Sequence, residues 1–229
     1  MSATAPPHRG SGRVDAFVDA AFAFCMTLLV VAGGALPQTI DDLMAALLRI
    51  PAFGVAFALL ALFWWSHHQF RQLHDRDDGP GLLLSLIIVF VVMIYVYPLR
   101  LLGESTAHYL SGRLLPGSEL VHSVDDMRVL YVVYGAGFVV LAGLYVLLFR
   151  HATRNAQTDE ARRDGIDATV CWSISASIGC LSIALALLLP RSNPWSTAFP
   201  GMVYMLIPAL IGLYFARKAR TPLVSAAAE

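Results

Sequence analysis

Charge is what this chain has least of. Only 14% of its 229 residues are Asp, Glu, Lys or Arg, against about 25% in soluble domains. That scarcity, with 57% hydrophobic residues and a mean hydropathy of +0.64, excludes a soluble globular protein. Lysine is nearly missing. Lys218 is the only one and lies past the last apolar run, so no membrane-buried lysine exists to hold a Schiff base to retinal. The three cysteines, Cys25, Cys171 and Cys180, all fall inside apolar runs. An odd set so placed is no disulfide framework, and buried small hydrophobes are the expected role. The formal net charge is zero, which gives no footprint for nucleic acid. No Ser/His/Asp or phosphate-loop constellation occurs, and an enzyme is not expected.

Apolar runs are what the chain has instead. Six stretches carry no Asp, Glu, Lys or Arg: Ala20–Ile40, Ile50–Phe70, Gly79–Leu99, Val129–Phe149, Ala168–Pro190 and Ser192–Ala216. Each is near the roughly 20 residues that a spanning helix needs. A backbone in lipid must satisfy its own hydrogen bonds, so the runs are expected to be helices. Pro51 suits a first helical turn, and Pro208 predicts a kink in the sixth run. The expected fold is an all-α integral membrane protein with six transmembrane helices. Residues 1–12 read as a disordered tail, 13–220 as one membrane domain and 221–229 as a C-terminal tail. The first run is too long for a signal peptide, and Asp15 and Asp19 stand at its entry. The connections Leu102 to Met127 and His151 to Asp167 read as an outer and an inner loop.

With the N-terminus cytoplasmic, 11 of the Lys and Arg residues lie on the inner side and 5 on the outer. That bias predicts both termini inside, in a multi-pass protein of the cell membrane (the inner membrane in a bacterium). No internal repeat relates the first three runs to the last three. The histidines suggest neither metal nor haem, because only His67 and His68 lie within a run. His74, His108, His122 and His151 sit in loops or at helix ends, and no cofactor is expected. Small residues at a spacing of four in the fifth run, Ser173 and Ser177 or Ala176, Cys180 and Ala184, read as close helix packing.

The stretch RVDAFVDAAFAFCMTLLVV, Arg13 to Val31, is the most informative. At about 100° per residue, Phe17, Phe24, Leu28 and Val31 share one face, flanked by Thr27. Asp15 and Asp19 fall roughly opposite. The second run ends FWWSHHQFRQL, and its Trp64, His67 and His68 reach the same membrane level as Arg13, Phe17 and Asp19. Two readings follow: Asp19 accepts a hydrogen bond from His67 or the Trp64 indole, or Arg13, His67 and His68 merely face the headgroups.

Those two segments together resemble the transmembrane-protein-175 family of potassium channels, in its bacterial six-helix form. The first-helix signature of that family is Arg-x-x-x-Phe-Ser-Asp followed by an apolar stretch with a Thr, matched here by Arg13, Phe17, Asp19 and Thr27. Trp64 and His67 match its second-helix Trp-x-x-His. Val18 replaces the signature serine. The resemblance implies a potassium-selective channel and a homotetramer whose central pore is lined by the first helix. It implies no P-loop carbonyl filter, and no Thr-Val-Gly-Tyr-Gly occurs here. Constriction would come from apolar rings at Phe24, Leu28 and Val31, with Thr27 beside them. Arg13, Phe17, Asp19, Trp64 and His67 would form the network that holds the helix. Potassium ions and the lipid bilayer are the implied partners. From the residues alone, a proton-coupled transporter, a proton leak and a non-conducting membrane scaffold stay open.

Overall fold

The computed structural model describes residues 11–31, 37–74, 78–112, 114–115, 123–190 and 198–226. The expected disordered tail lies outside these residues, apart from its last two. The described chain is helical throughout: α1 Ser11–Val31, α2 Ile40–Leu48, α3 Ile50–Leu73, α4 Gly79–Leu110, α5 Val124–Arg154, α6 Asp159–Leu188, α7 Phe199–Met202 and α8 Leu206–Ala226. Among the described residues six segments are long and apolar enough to cross a membrane, five of them within single helices and the sixth running from Phe199 into α8 as far as Arg220. The six expected spans are therefore present, but their ends differ from the charge-free runs.

The differences have local causes. Helix α1 begins upstream of its charges and stops at Val31. Short α2 follows, with Thr39 as N-cap in a capping box. Thr39 Oγ1 accepts from the Asp42 N–H at 3.1 Å, and Asp42 Oδ2 accepts from the Thr39 N–H at 3.0 Å. This reciprocal pair satisfies two of the donors that every helix start leaves open. Pro51 lies in the first turn of α3, as expected. Helix α4 continues beyond Leu99 to Leu110, across an Arg100–Glu104 pair at 2.9 Å, one turn apart. The connection expected from Leu102 to Met127 shrinks accordingly. The charged segment after His151 is mostly helix as well, because only residues 155–158 separate α5 from α6. Before Pro208 the backbone tightens into a 3₁₀ turn at Val203–Met205. Proline has no N–H for the Tyr204 carbonyl and its ring crowds that group, so an interrupted helix replaces a simple kink. Helix α8 runs through Arg220 to Ala226.

The chain divides into two compact units. The first holds Met1–Glu119 and Leu147–Ile166. Within it α3 packs against α4, and α1 against both. Ala52, Ala56, Leu60, Phe63, His67 and Phe70 are the buried row of α3, at steps of three and four that mark one helical face. The Phe70 ring meets Phe149 edge-on, with centroids 6.4 Å apart. Gly103 lets α4 lie close to α3: a Cβ there would stand 2.3 Å from the Ala52 carbonyl oxygen.

The second unit holds Leu120–Val146 and Asp167–Glu229. Its α5 residues Met127, Tyr131, Tyr134, Phe138, Leu141 and Tyr145 are buried at the same helical spacing. Tyr145 stacks on Trp172 of α6, centroids 4.6 Å apart. Within this unit α6 comes close to α5 at Gly179, where a Cβ would come 2.7 Å from Val139 Cγ2. The serine row at 173 and 177 is exposed instead, and both hydroxyls bond the carbonyl one turn back. Ser182, fully buried, donates to the Pro200 carbonyl at 2.7 Å. Arg128 donates to the Leu189 carbonyl just past the α6 C-terminus, a favourable place for a cation. Of the cysteines only Cys25 is buried, while Cys171 is half-buried and Cys180 exposed.

Candidate functional site

Helix α1 has two apolar faces with different surroundings. Val18, Phe22, Cys25 and Leu29 are 0–3% exposed. Their spacing of four, three and four residues puts them on one stripe, which packs into the first unit. Phe17, Phe24 and Val31 are 54%, 51% and 66% exposed. Together with half-buried Leu28, they form the stripe derived from spacing. Thr27 lies beside it, exposed, and donates to the Ala23 carbonyl at 3.0 Å.

The acidic end of α1 is fixed by α3. Trp64 Nε1 donates to Asp19 Oδ1 at 2.8 Å. Of the two donors the sequence offered, the indole makes this contact. One turn nearer the start of α1, Arg71 Nε lies 2.6 Å from Asp15 Oδ1. The two helices run antiparallel here, so stepping back four residues on α1 matches stepping forward seven on α3. His67 turns away to α4, where its Nε2 is 2.9 Å from Ser85 Oγ. Ser85 Oγ donates to the Gly81 carbonyl at 2.9 Å. A hydroxyl has one proton to give, so His67 Nε2 carries the proton shared with Ser85. Trp64 also stacks on His68, centroids 5.9 Å apart and planes 18° apart.

The expected network thus divides. Asp19 and Trp64 touch, and His67 supports the same helix from the other side. Phe17 is exposed on the bare stripe. Arg13 is exposed and has no hydrogen bond or ion pair among the described residues. Arg71 and Ser85 are the contributors that motif reading missed. Arg71 carried a signal, since it stands seven residues after Trp64 and therefore on nearly the same face of α3. Val18 is wholly buried in the packed row of α1. The contacts at Asp15 and Asp19 close without a hydroxyl at that position.

A family model described as "Endosomal/lysosomal potassium channel TMEM175" matches residues 13–98, the stretch that contains α1, α3 and these contacts. A curated potassium channel of Marivirga tractuosa is 27% identical over 220 residues, covering 91% of this chain and 89% of its own. Over residues 13–98 the chain is similar to the TMEM175 family. Another potassium channel, from Chamaesiphon minutus, is 27% identical over 173 residues, covering 72% of this chain and 77% of its own. Among solved structures, a variant of the potassium channel MtTMEM175 bound to a nanobody–MBP fusion aligns with a TM-score of 0.77. It shares 24% identity and covers 91% of this chain and 94% of that one. A lysosomal potassium-selective channel TMEM175 homolog from Chamaesiphon minutus aligns at 0.63, with 22% identity over 90% and 98% of the two chains. These likenesses show that the chain has the TMEM175 fold. With six helices among the described residues long and apolar enough to cross a membrane, it is a multi-pass membrane protein.

Proposed function

We propose that this chain is a potassium channel of the TMEM175 family, a homotetramer in which the four α1 helices line a central pore. The observation that carries the reading is the bare stripe of α1. Its packed side is used up by Val18, Phe22, Cys25 and Leu29, so Phe17, Phe24, Leu28 and Val31 are free to face an axis shared with other copies. Four apolar side chains converging at one level make a constriction that ions cannot enter dehydrated, and that conducts when widened or wetted. Phe24, Leu28 and Val31 are the rings of this gate, and Thr27 offers a hydroxyl beside them. Asp15, Asp19, Trp64, Arg71 and His67 hold the helix and do not touch the ion. Both chain ends face the cytoplasm, which puts these contacts on the inner side. Selectivity without a carbonyl filter rests on the pore of α1.

The test is potassium flux into liposomes reconstituted with the purified protein, beside empty liposomes. Leu28→Asn replaces an apolar ring by a wettable one and is expected to raise flux several-fold. Phe24→Ala widens the constriction and is expected to raise it as well. Flux that is potassium-selective and unchanged in both variants would remove α1 from the pore. Absence of flux from a folded tetramer would remove conduction.

A further inference from the structure

Away from α1, at the same end of α3, the fold assembles a second polar cluster from three elements. His74 is the residue that ends α3. Asp78 directly precedes α4, and its Oδ1 accepts from the Gly81 N–H at 2.9 Å. His151 belongs to the last turn of α5. One imidazole nitrogen from each histidine and one Asp78 oxygen lie within 4.8 Å of one another. Asp78 Oδ2 stands 2.5 Å from His151 Nε2 and 3.3 Å from His74 Nε2. The His74 side chain is 4% exposed. Its Nε2 is shut off from solvent and makes no aligned hydrogen bond among the described residues. A buried nitrogen that faces a carboxylate at 3.3 Å without an aligned hydrogen bond costs stability unless something completes it.

We propose that His74, Asp78 and His151 form a binding site for a divalent transition-metal ion, with zinc the best fit. The donor set decides the class. Two imidazoles and one carboxylate suit zinc and its neighbours, whereas calcium and magnesium prefer all-oxygen cages. Around a tetrahedral ion with bonds of about 2 Å, donor atoms stand roughly 3.3 Å apart. His74 and Asp78 already have that separation. His151 must withdraw by less than an ångström as the ion takes the place of the proton it shares with Asp78. Water completes the fourth position. The Gly81 N–H fixes the carboxylate so that its other oxygen faces both rings, the kind of support metal ligands commonly have. A bound ion would tie the α3–α4 connection to the end of α5.

The experiment uses the full-length protein in detergent, purified without a polyhistidine tag. Zinc is titrated in competition with a chromophoric chelator. One site per chain is expected, weakened at least tenfold in His74→Gln and in His151→Gln, and unchanged in His122→Gln. Cobalt soaked into the wild-type protein supplies a readout that needs no variant. Intense visible bands of a four-coordinate ion are expected, and zinc should abolish them. Undiminished zinc binding by the two ligand variants, no binding by the wild type, or a six-coordinate cobalt spectrum would each overturn the site. Binding is read without ion flux, so a chain that binds zinc but carries no potassium would sink the channel and leave the site standing.

Discussion

Asp15 and Arg71 pair across α1 and α3 with Arg71 Nε 2.6 Å from the carboxylate, one turn from the Asp19–Trp64 hydrogen bond. Asp15 is 36% exposed and Arg71 11%, so solvent screens the pair in part. Asp15→Asn and Arg71→Gln, singly and together, are expected to show a coupling of about 1 kcal/mol in unfolding. Strict additivity of the two substitutions would mean that the pair contributes nothing.

The Asp19–Trp64 bond gives a graded expectation. Asp19→Asn keeps an oxygen that accepts from the indole but removes its charge, and charge-assisted bonds are the stronger kind. Asp19→Ala removes the acceptor. Thermal unfolding should therefore rank wild type above Asp19→Asn, and that above Asp19→Ala. Trp64→Phe is expected to cost about 1 kcal/mol for the lost donor. Equal stability of the Asn and Ala variants would show that the indole does not depend on this oxygen.

Gly103→Ala tests the approach of α4 to α3. The new methyl would meet the Ala52 carbonyl, which is backbone and cannot swing away. A loss of about 1–3 kcal/mol is expected from overpacking. Gly143→Ala, whose Cβ meets nothing within 4 Å, is the control and should be neutral or slightly stabilising, as alanine favours a helix over glycine. Equal effects at the two sites would contradict the close crossing.

The start of α2 is expected to respond to acid. Hydrogen bonds from Thr39 first, and from the Gln38 and Thr39 backbone, hold the Asp42 pKa below the usual carboxylate range. A carboxyl with a lowered folded-state pKa stabilises fully above its unfolded value, about 3.9, and loses that contribution as pH falls through the folded value. Amide exchange in α2, corrected for intrinsic rates, should be flat from pH 7 to about 5 and quicken below. Asp42→Ala should quicken it at every pH and flatten the acid response.

The spans were legible because apolar run length is set by the bilayer, and charge scarcity shows it directly. Helix ends were not. Charged residues such as Arg100 and Glu104 extend a helix once it leaves the hydrocarbon, so the last uncharged position marks the membrane and not the helix. Asp19 and Trp64 were legible together because alternating topology brings their ends to one level. Arg71 and Ser85 were not, since they depend on how α3 is rotated between α1 and α4. In the sequence His74 and His151 stand only in loops or at helix ends, and Asp78 carries no signal of its own. Nothing in spacing links Asp78 to a histidine 73 positions away, and only the packing of α5 brings them together.

Helix α1 keeps its packed row and its bare row on separate residues. A substitution at Phe17, Phe24 or Val31 falls on a side chain more than half exposed, whereas one at Val18, Phe22, Cys25 or Leu29 strikes the core. Mutational drift can therefore reshape one side of this helix at little cost to the fold, and the two sides are free to evolve at different rates. A saturation scan of α1 scored for expression should dip at positions 18, 22, 25 and 29. The same scan scored for activity should dip about a third of a helical turn away.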